Sequence, residues 1–181
     1  MPDSAARVRR FVRENRVLLT LLAAGLLLRL AVALPGLCGD AETCFSRPDT
    51  PGYLGPARAL AAEGSYLDCP GGEPNCGRAP GFPFFASLVF RLFGPENAAA
   101  LAVTLLLAGA LIPLAVYWAG TVWFDRRTAL WGCGFTVLNL TMIAQAPMLL
   151  SDTLFGLVAA LMFGCFGKFH RKSDPRWFVL T

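Results

Sequence analysis

The sequence predicts an all-α membrane protein of about four transmembrane helices, with a long external loop that carries amphipathic surface helices. Three observations lead there. Of 181 residues, 55% are apolar and only 15% are charged, and the mean hydropathy is +0.54, too apolar for an ordinary soluble domain. Apolar runs of about 18 residues or more recur along the chain, the length that crosses a bilayer core. Charge is also segregated: residues 1–16 hold five arginines against two acids, residues 35–96 hold seven acids against four arginines, and residues 168–181 hold four cations against one acid. Basic ends read as cytoplasmic and the acidic middle as external, giving a multi-pass protein of the cell membrane with its N-terminus in the cytoplasm. The net charge of +4 therefore reports topology. It gives no reason to expect a nucleic-acid partner, because no basic face with interleaved aromatics lies outside the membrane-flanking segments.

After the basic residues 1–16, the first span is expected over 17–34, with Arg29 near its outer end and Pro35-Gly36 closing it. The Arg-rich start followed by Ala31-Val32-Ala33 imitates a secretory leader. The run is longer than a usual leader core, however, and Arg29 would sit inside that core, so a retained helix is expected. Residues 35–96 form a Gly- and Pro-rich loop too long for a simple connector. Within it, Asp49-Thr50-Pro51 followed by Tyr53, Leu54, Ala57, Leu60 and Ala61 predicts a capped amphipathic helix ending near Gly64. A second surface helix is expected from Pro83 to Phe93, stopped by Gly94-Pro95. The second span covers 97–124, with Pro113 as an expected kink, and Asp125-Arg126-Arg127 makes a cytoplasmic turn. The third span is expected over 128–146 and the fourth over 148–169, joined at Gln145-Ala146-Pro147. Residues 170–181 then form a cytoplasmic tail.

Cys38, Cys44, Cys69 and Cys76 all fall in the external loop. On the oxidising side of a membrane they predict disulfides, with three connectivities open. Zinc is the alternative, disfavoured because the C-x5-C and C-x6-C spacings are wide and the only histidine, His170, lies on the other side. Cys133 and Cys165 lie inside spans and read as small packing residues.

Four charged residues stand where charge is costly or directional. Asp49 reads either as the cap of the helix that follows or as a general base at the membrane surface. Arg78, opening Arg78-Ala79-Pro80-Gly81-Phe82-Pro83, reads either as an interfacial anchor or as a forked donor to a phosphate. Arg29 can snorkel to the outer interface or pair with an acid in the bundle. Asp152, after Ser151 at the external end of the fourth span, can polarise the start of that helix or meet Arg29 at similar depth.

Taken in order, Arg29, Asp49-Thr50-Pro51-Gly52-Tyr53-Leu54 with Ala57 and Leu60, Arg78 to Pro83 running to Leu92-Phe93-Gly94, and Ser151-Asp152-Thr153-Leu154-Phe155 resemble the N-terminal part of the GT-C class of membrane glycosyltransferases. The resemblance is to the branch containing protein O-mannosyltransferases, aminoarabinose transferases and enzymes that glycosylate lipopolysaccharide cores. It implies transfer of a hexosyl or pentosyl group from a polyprenyl-phosphate donor to a glycan, lipid or protein acceptor on the external face, with inversion at the anomeric carbon. It further implies Asp49 as the base, Arg78 and Tyr53 at the donor phosphate and lipid, and Asp152 and Arg29 in support, orienting the acceptor. The resemblance covers nearly all of the chain but only the first part of such an enzyme, so the tail reads as the start of a further portion. Two departures stand out. Aminoarabinose transferases carry a cation-binding Glu where this chain has Gly81, so no metal site is carried over and no cofactor is assigned, a divalent cation staying open as the alternative. The mannosyltransferases follow their loop Asp with Glu, where this chain has Thr50, which argues against that subfamily. The rival expectation is a non-catalytic four-span accessory or assembly protein that binds lipid or partner helices.

Overall fold

The structure, a computed structural model, describes residues 4–172. Most of the expected tail, from residue 173 onward, lies outside the described residues. Eight helices follow in order: α1 (Ser4–Leu37), α2 (Ala41–Phe45), α3 (Pro51–Ala62), α4 (Gly81–Phe93), α5 (Ala98–Trp123), α6 (Arg126–Leu138), α7 (Leu140–Gln145) and α8 (Asp152–Lys172). The described residues contain no strand, only an isolated antiparallel bridge between Leu67 and Pro74. Among the described residues three helices are long and apolar enough to cross a membrane: Arg10–Leu37, Ala98–Trp123 and Asp152–Arg171.

The basic N-terminal residues are not separate from the first span. One helix runs from Ser4 through both and is kinked at Asn15 (φ −111°, ψ 15°). The kink loosens backbone carbonyls, and Arg126, at the start of α6, donates from Nη2 to the Glu14 carbonyl and to Asn15 Oδ1. The helix also continues past Pro35 to Leu37. α5 passes through Pro113 and is the central element, packed against α1, α6 and α8 and touched by α2 and α4. Glycines let it approach α8 closely: Gly164 and Gly167 leave room for the Trp118 and Trp123 rings, and Trp123 Nε1 donates to the Phe163 carbonyl at 3.0 Å.

The expected third span, 128–146, is not one helix. Asn139 is extended (φ −69°, ψ 108°), ends α6 and caps α7 by accepting from the Met142 amide at 2.9 Å. An Asn side chain competes for local backbone donors, and here that competition breaks the apolar run. The expected fourth span also starts late: residues 148–151 form a turn, and the helix begins at Asp152. That turn is pulled onto residues 45–50, where the Leu149 amide donates to the Phe45 carbonyl (3.1 Å) and Thr50 Oγ1 donates to the Leu149 carbonyl (3.2 Å).

Residues 38–97, with α2, α3 and α4, form a folded cap. Phe45 of α2, Leu54 and Ala57 of α3, Phe82, Ala86 and Phe90 of α4, and Leu101 and Leu105 of α5 share one buried core with Leu149. Burying each large side chain contributes about 1.5–3 kcal/mol. Arg58 locks the cap's rim, bonding Glu42 at 2.8 Å and the Pro95 carbonyl at 3.1 Å. On the opposite face of α4, Phe84, Leu88 and Leu92 are exposed at helical spacing, an apolar row suited to a membrane surface. Gly94 ends α4 at φ 98°, a left-handed conformation that glycine adopts without strain.

One further expectation is corrected here. Arg29 neither snorkels nor meets Asp152: it is fully buried, whereas Asp152 is exposed. Its side chain folds back along α1, donating from Nη1 to the Gly25 carbonyl at 3.0 Å, in space that Gly25 leaves open under Val137. Among the described residues Nε and Nη2 have no hydrogen-bond partner. Cys38, Cys44, Cys69 and Cys76 are exposed thiols in this structure. Around the Leu67–Pro74 bridge the Asp68 amide donates to the Glu73 carbonyl and the Asn75 amide to the Tyr66 carbonyl.

Candidate active site

The site is built where the N-terminus of α3 meets the hairpin-like loop 65–78. Asp49 was open to a capping role, but Thr50 occupies the cap position of α3 with helical backbone angles, and no side chain caps the helix. Thr50 is buried instead, its hydroxyl accepting from the Arg47 amide at 2.8 Å while donating to Leu149. Asp49 is thereby left projecting, with its side chain 63% exposed. Its Oδ1 accepts from Arg78 Nη2.

The loop holds Arg78 at its backbone. The Gly77 and Arg78 amides both donate to Asn75 Oδ1, at 3.0 and 3.1 Å, and the Tyr66 hydroxyl donates to the Arg78 carbonyl at 2.8 Å. Burial, and then the nearby Asp68 charge, push the Tyr66 hydroxyl above its ordinary value, so it keeps the proton that it donates. The Arg78 side chain then crosses α3 at Gly52, where a Cβ would stand 3.1 Å from Nε. Its guanidinium lies 4.9 Å over the Tyr53 ring, a cation–π contact. The Tyr53 ring in turn meets Phe82 edge-on at 5.3 Å. The hydrogen bond to Asp49, with the carboxylate's charge, holds the Arg78 guanidinium above its already high ordinary value, so it is a permanent cation.

Of the residues expected from the sequence, the structure brings Asp49, Arg78 and Tyr53 together. Asp152 stands next to them through its neighbour, since Ser151 Oγ lies 3.4 Å from the Tyr53 hydroxyl, while its own side chain is exposed. Arg29 is not part of it. Sequence reasoning missed Asn75, Tyr66, Gly52 and Ser151. The Asn75-Cys76-Gly77 turn was the one local signal available, because Asn favours side-chain bonds to amides two and three residues ahead.

The arrangement can do two things chemically. The Arg78 guanidinium, on a backbone held by Asn75 and Tyr66, presents forked donors to an anion. A carboxylate beside it can accept a proton, and the ion pair that now occupies both is exposed, so its net stabilisation is about 0–1 kcal/mol and a substrate anion can displace it. Among the described residues no cluster of three His, Cys, Asp or Glu could hold a metal ion.

The hairpin's position depends on Gly55, where a methyl group would collide with the Asp68 carbonyl oxygen. Gly55→Ala is expected to push the loop off α3 and cost about 1–3 kcal/mol, read as thermal unfolding in detergent. Gly77→Ala, whose added carbon meets nothing within 4 Å, serves as the neutral control. Equal melting of the two variants would mean that the loop does not depend on this contact.

A family model described as dolichyl-phosphate-mannose-protein mannosyltransferase matches residues 77–181, more than half of the chain. No curated protein and no solved structure matches. The matched segment contains Arg78 and Asp152. Asp49, Tyr53 and the departure at Thr50 lie outside it.

Proposed function

Because the chain belongs to the dolichyl-phosphate-mannose-protein mannosyltransferase family, membrane glycosyltransferases of the GT-C type, we propose that it transfers a sugar from a polyprenyl-phosphate donor to an acceptor on the external face. The observation that carries this reading is the Arg78 guanidinium, fixed at its backbone by Asn75 and Tyr66 and paired with Asp49 at the rim of an apolar cap.

A lipid-linked donor lays its chain in the bilayer and presents its phosphate at headgroup level, where the exposed row of α4 and the Tyr53–Phe82 pair offer apolar support. The donor phosphate takes the guanidinium from Asp49, and the carboxylate becomes free to act only once the donor is in place. The acceptor hydroxyl then attacks the anomeric carbon from the side opposite the phosphate. Asp49 takes the hydroxyl proton, the new C–O bond forms as the sugar–phosphate bond breaks, and the leaving electron pair stays on phosphate oxygens held by Arg78. Asp152 and Ser151, beside Tyr53, orient the acceptor. In this reading the Arg-rich end of α1 and the start of α6 face the cytoplasm, and the cap faces outward.

The test is binding of a polyprenyl monophosphate by the full purified chain, against the neutral polyprenol of equal length. Selection of the phosphate by 10-fold or more is expected from charge-assisted bonds of about 1.5–3 kcal/mol. Equal affinity for the two lipids would overturn the donor assignment.

A further inference from the structure

At the basic end of the bundle, away from the cap, a cavity of about 390 Å³ opens between α1 and α6. Leu21, Leu130, Gly134, Phe135 and Trp131 line it, and its single charged residue, Arg127, stands at one end. Trp131 and Phe135 are largely exposed, so the groove is open on its outer side. We propose that this groove binds an anionic phospholipid, one acyl chain lying along Leu21 and Phe135 and the headgroup phosphate at Arg127.

The charges around its mouth favour that occupant. The Arg126 bonds to Glu14 and Asn15 bring the start of α6 beside the kink in α1, so Arg127 and the α1 residue Val17 line the same mouth. Of the acids nearby, Glu14 pairs with Arg10 at 2.8 Å, and Asp125, which also attracts Arg127, accepts from the Thr128 amide at 2.7 Å to cap α6. The α6 N-terminus adds its partial positive charge at the same place. An interior without charge and a cation at one end match a lipid's chain and phosphate, with Trp131 as the amphipathic ring of an interface. A second copy fits worse. A two-fold axis along the membrane normal would bring two copies of Arg127 to the same end, like against like.

The experiment places the full chain in phosphatidylcholine bilayers holding a minor fraction of brominated phosphatidylglycerol or brominated phosphatidylcholine. The quenching of Trp131 is read as the difference between the native chain and Trp131→Phe. The brominated anionic lipid is expected to quench at about five-fold lower mole fraction, the effect of one cation at a membrane surface. Arg127→Gln should remove that preference with sugar transfer unchanged. Gly134→Leu, at a position where an added carbon has only Leu21 at 4.0 Å, should fill the groove and reduce quenching by both lipids. Equal quenching by the two lipids in the native chain, or a preference that survives Arg127→Gln, would overturn the proposal. Absence of quenching by either would mean that protein covers the groove, which overturns it as well. None of these outcomes bears on the donor site.

Discussion

Asp49→Asn is expected to lower sugar transfer by roughly 10²–10⁴-fold, the usual contribution of a positioned general base, while the chain stays folded. Asp49 does not cap α3, its side chain is mostly exposed, and it is ion-paired with Arg78. Losing such a pair costs about 0–1 kcal/mol, and Asn can still accept a hydrogen bond from the guanidinium. The variant therefore separates chemistry from stability. Turnover with a polyprenyl-phosphate sugar in washed membranes, beside a melting curve in detergent, makes the measurement. Undiminished transfer at equal protein would remove Asp49 from the base role and favour a non-catalytic reading of the site.

Arg78→Ala is expected to weaken the donor more than it slows the chemistry, raising KM for the donor by about 10–100-fold, as loss of a charge-assisted phosphate contact does. Arg78→Lys should recover part of the loss, because it restores the charge without the forked geometry and without the flat contact on Tyr53. Asn75 and Tyr66 bind the backbone of residue 78 and are indifferent to its side chain, so the loop should keep its place in both variants. Titrating donor lipid at saturating acceptor separates KM from kcat. An unchanged KM in Arg78→Ala would leave Arg78 as an interfacial anchor.

The sequence by itself determined the features that depend on local chemistry and on the solvent. Apolar runs beside arginine clusters can satisfy their backbone in lipid only as helices, and the class followed. Proline at the first turn of α3 and Gly94 after α4 are local backbone constraints, so both surface helices were legible to within a few residues. The order of Asp49, Tyr53 and Arg78 along the chain was legible too, though not their meeting.

Tertiary structure decided what depends on distant partners. Asp49 could have been a cap, and became the partner of Arg78 because Leu149, about a hundred residues on, takes the Thr50 hydroxyl and Gly52 clears a path for the guanidinium. The stretch 128–146 was apolar enough for one helix, but Asn139 broke it by capping α7. Arg29 was expected to seek water or an acid, and is instead folded against Gly25 under Val137. The physical reason is common to these cases. A helix or a turn responds to energies carried by neighbours within a few residues, whereas a charged side chain settles wherever packing leaves room and a partner, which only the assembled chain specifies.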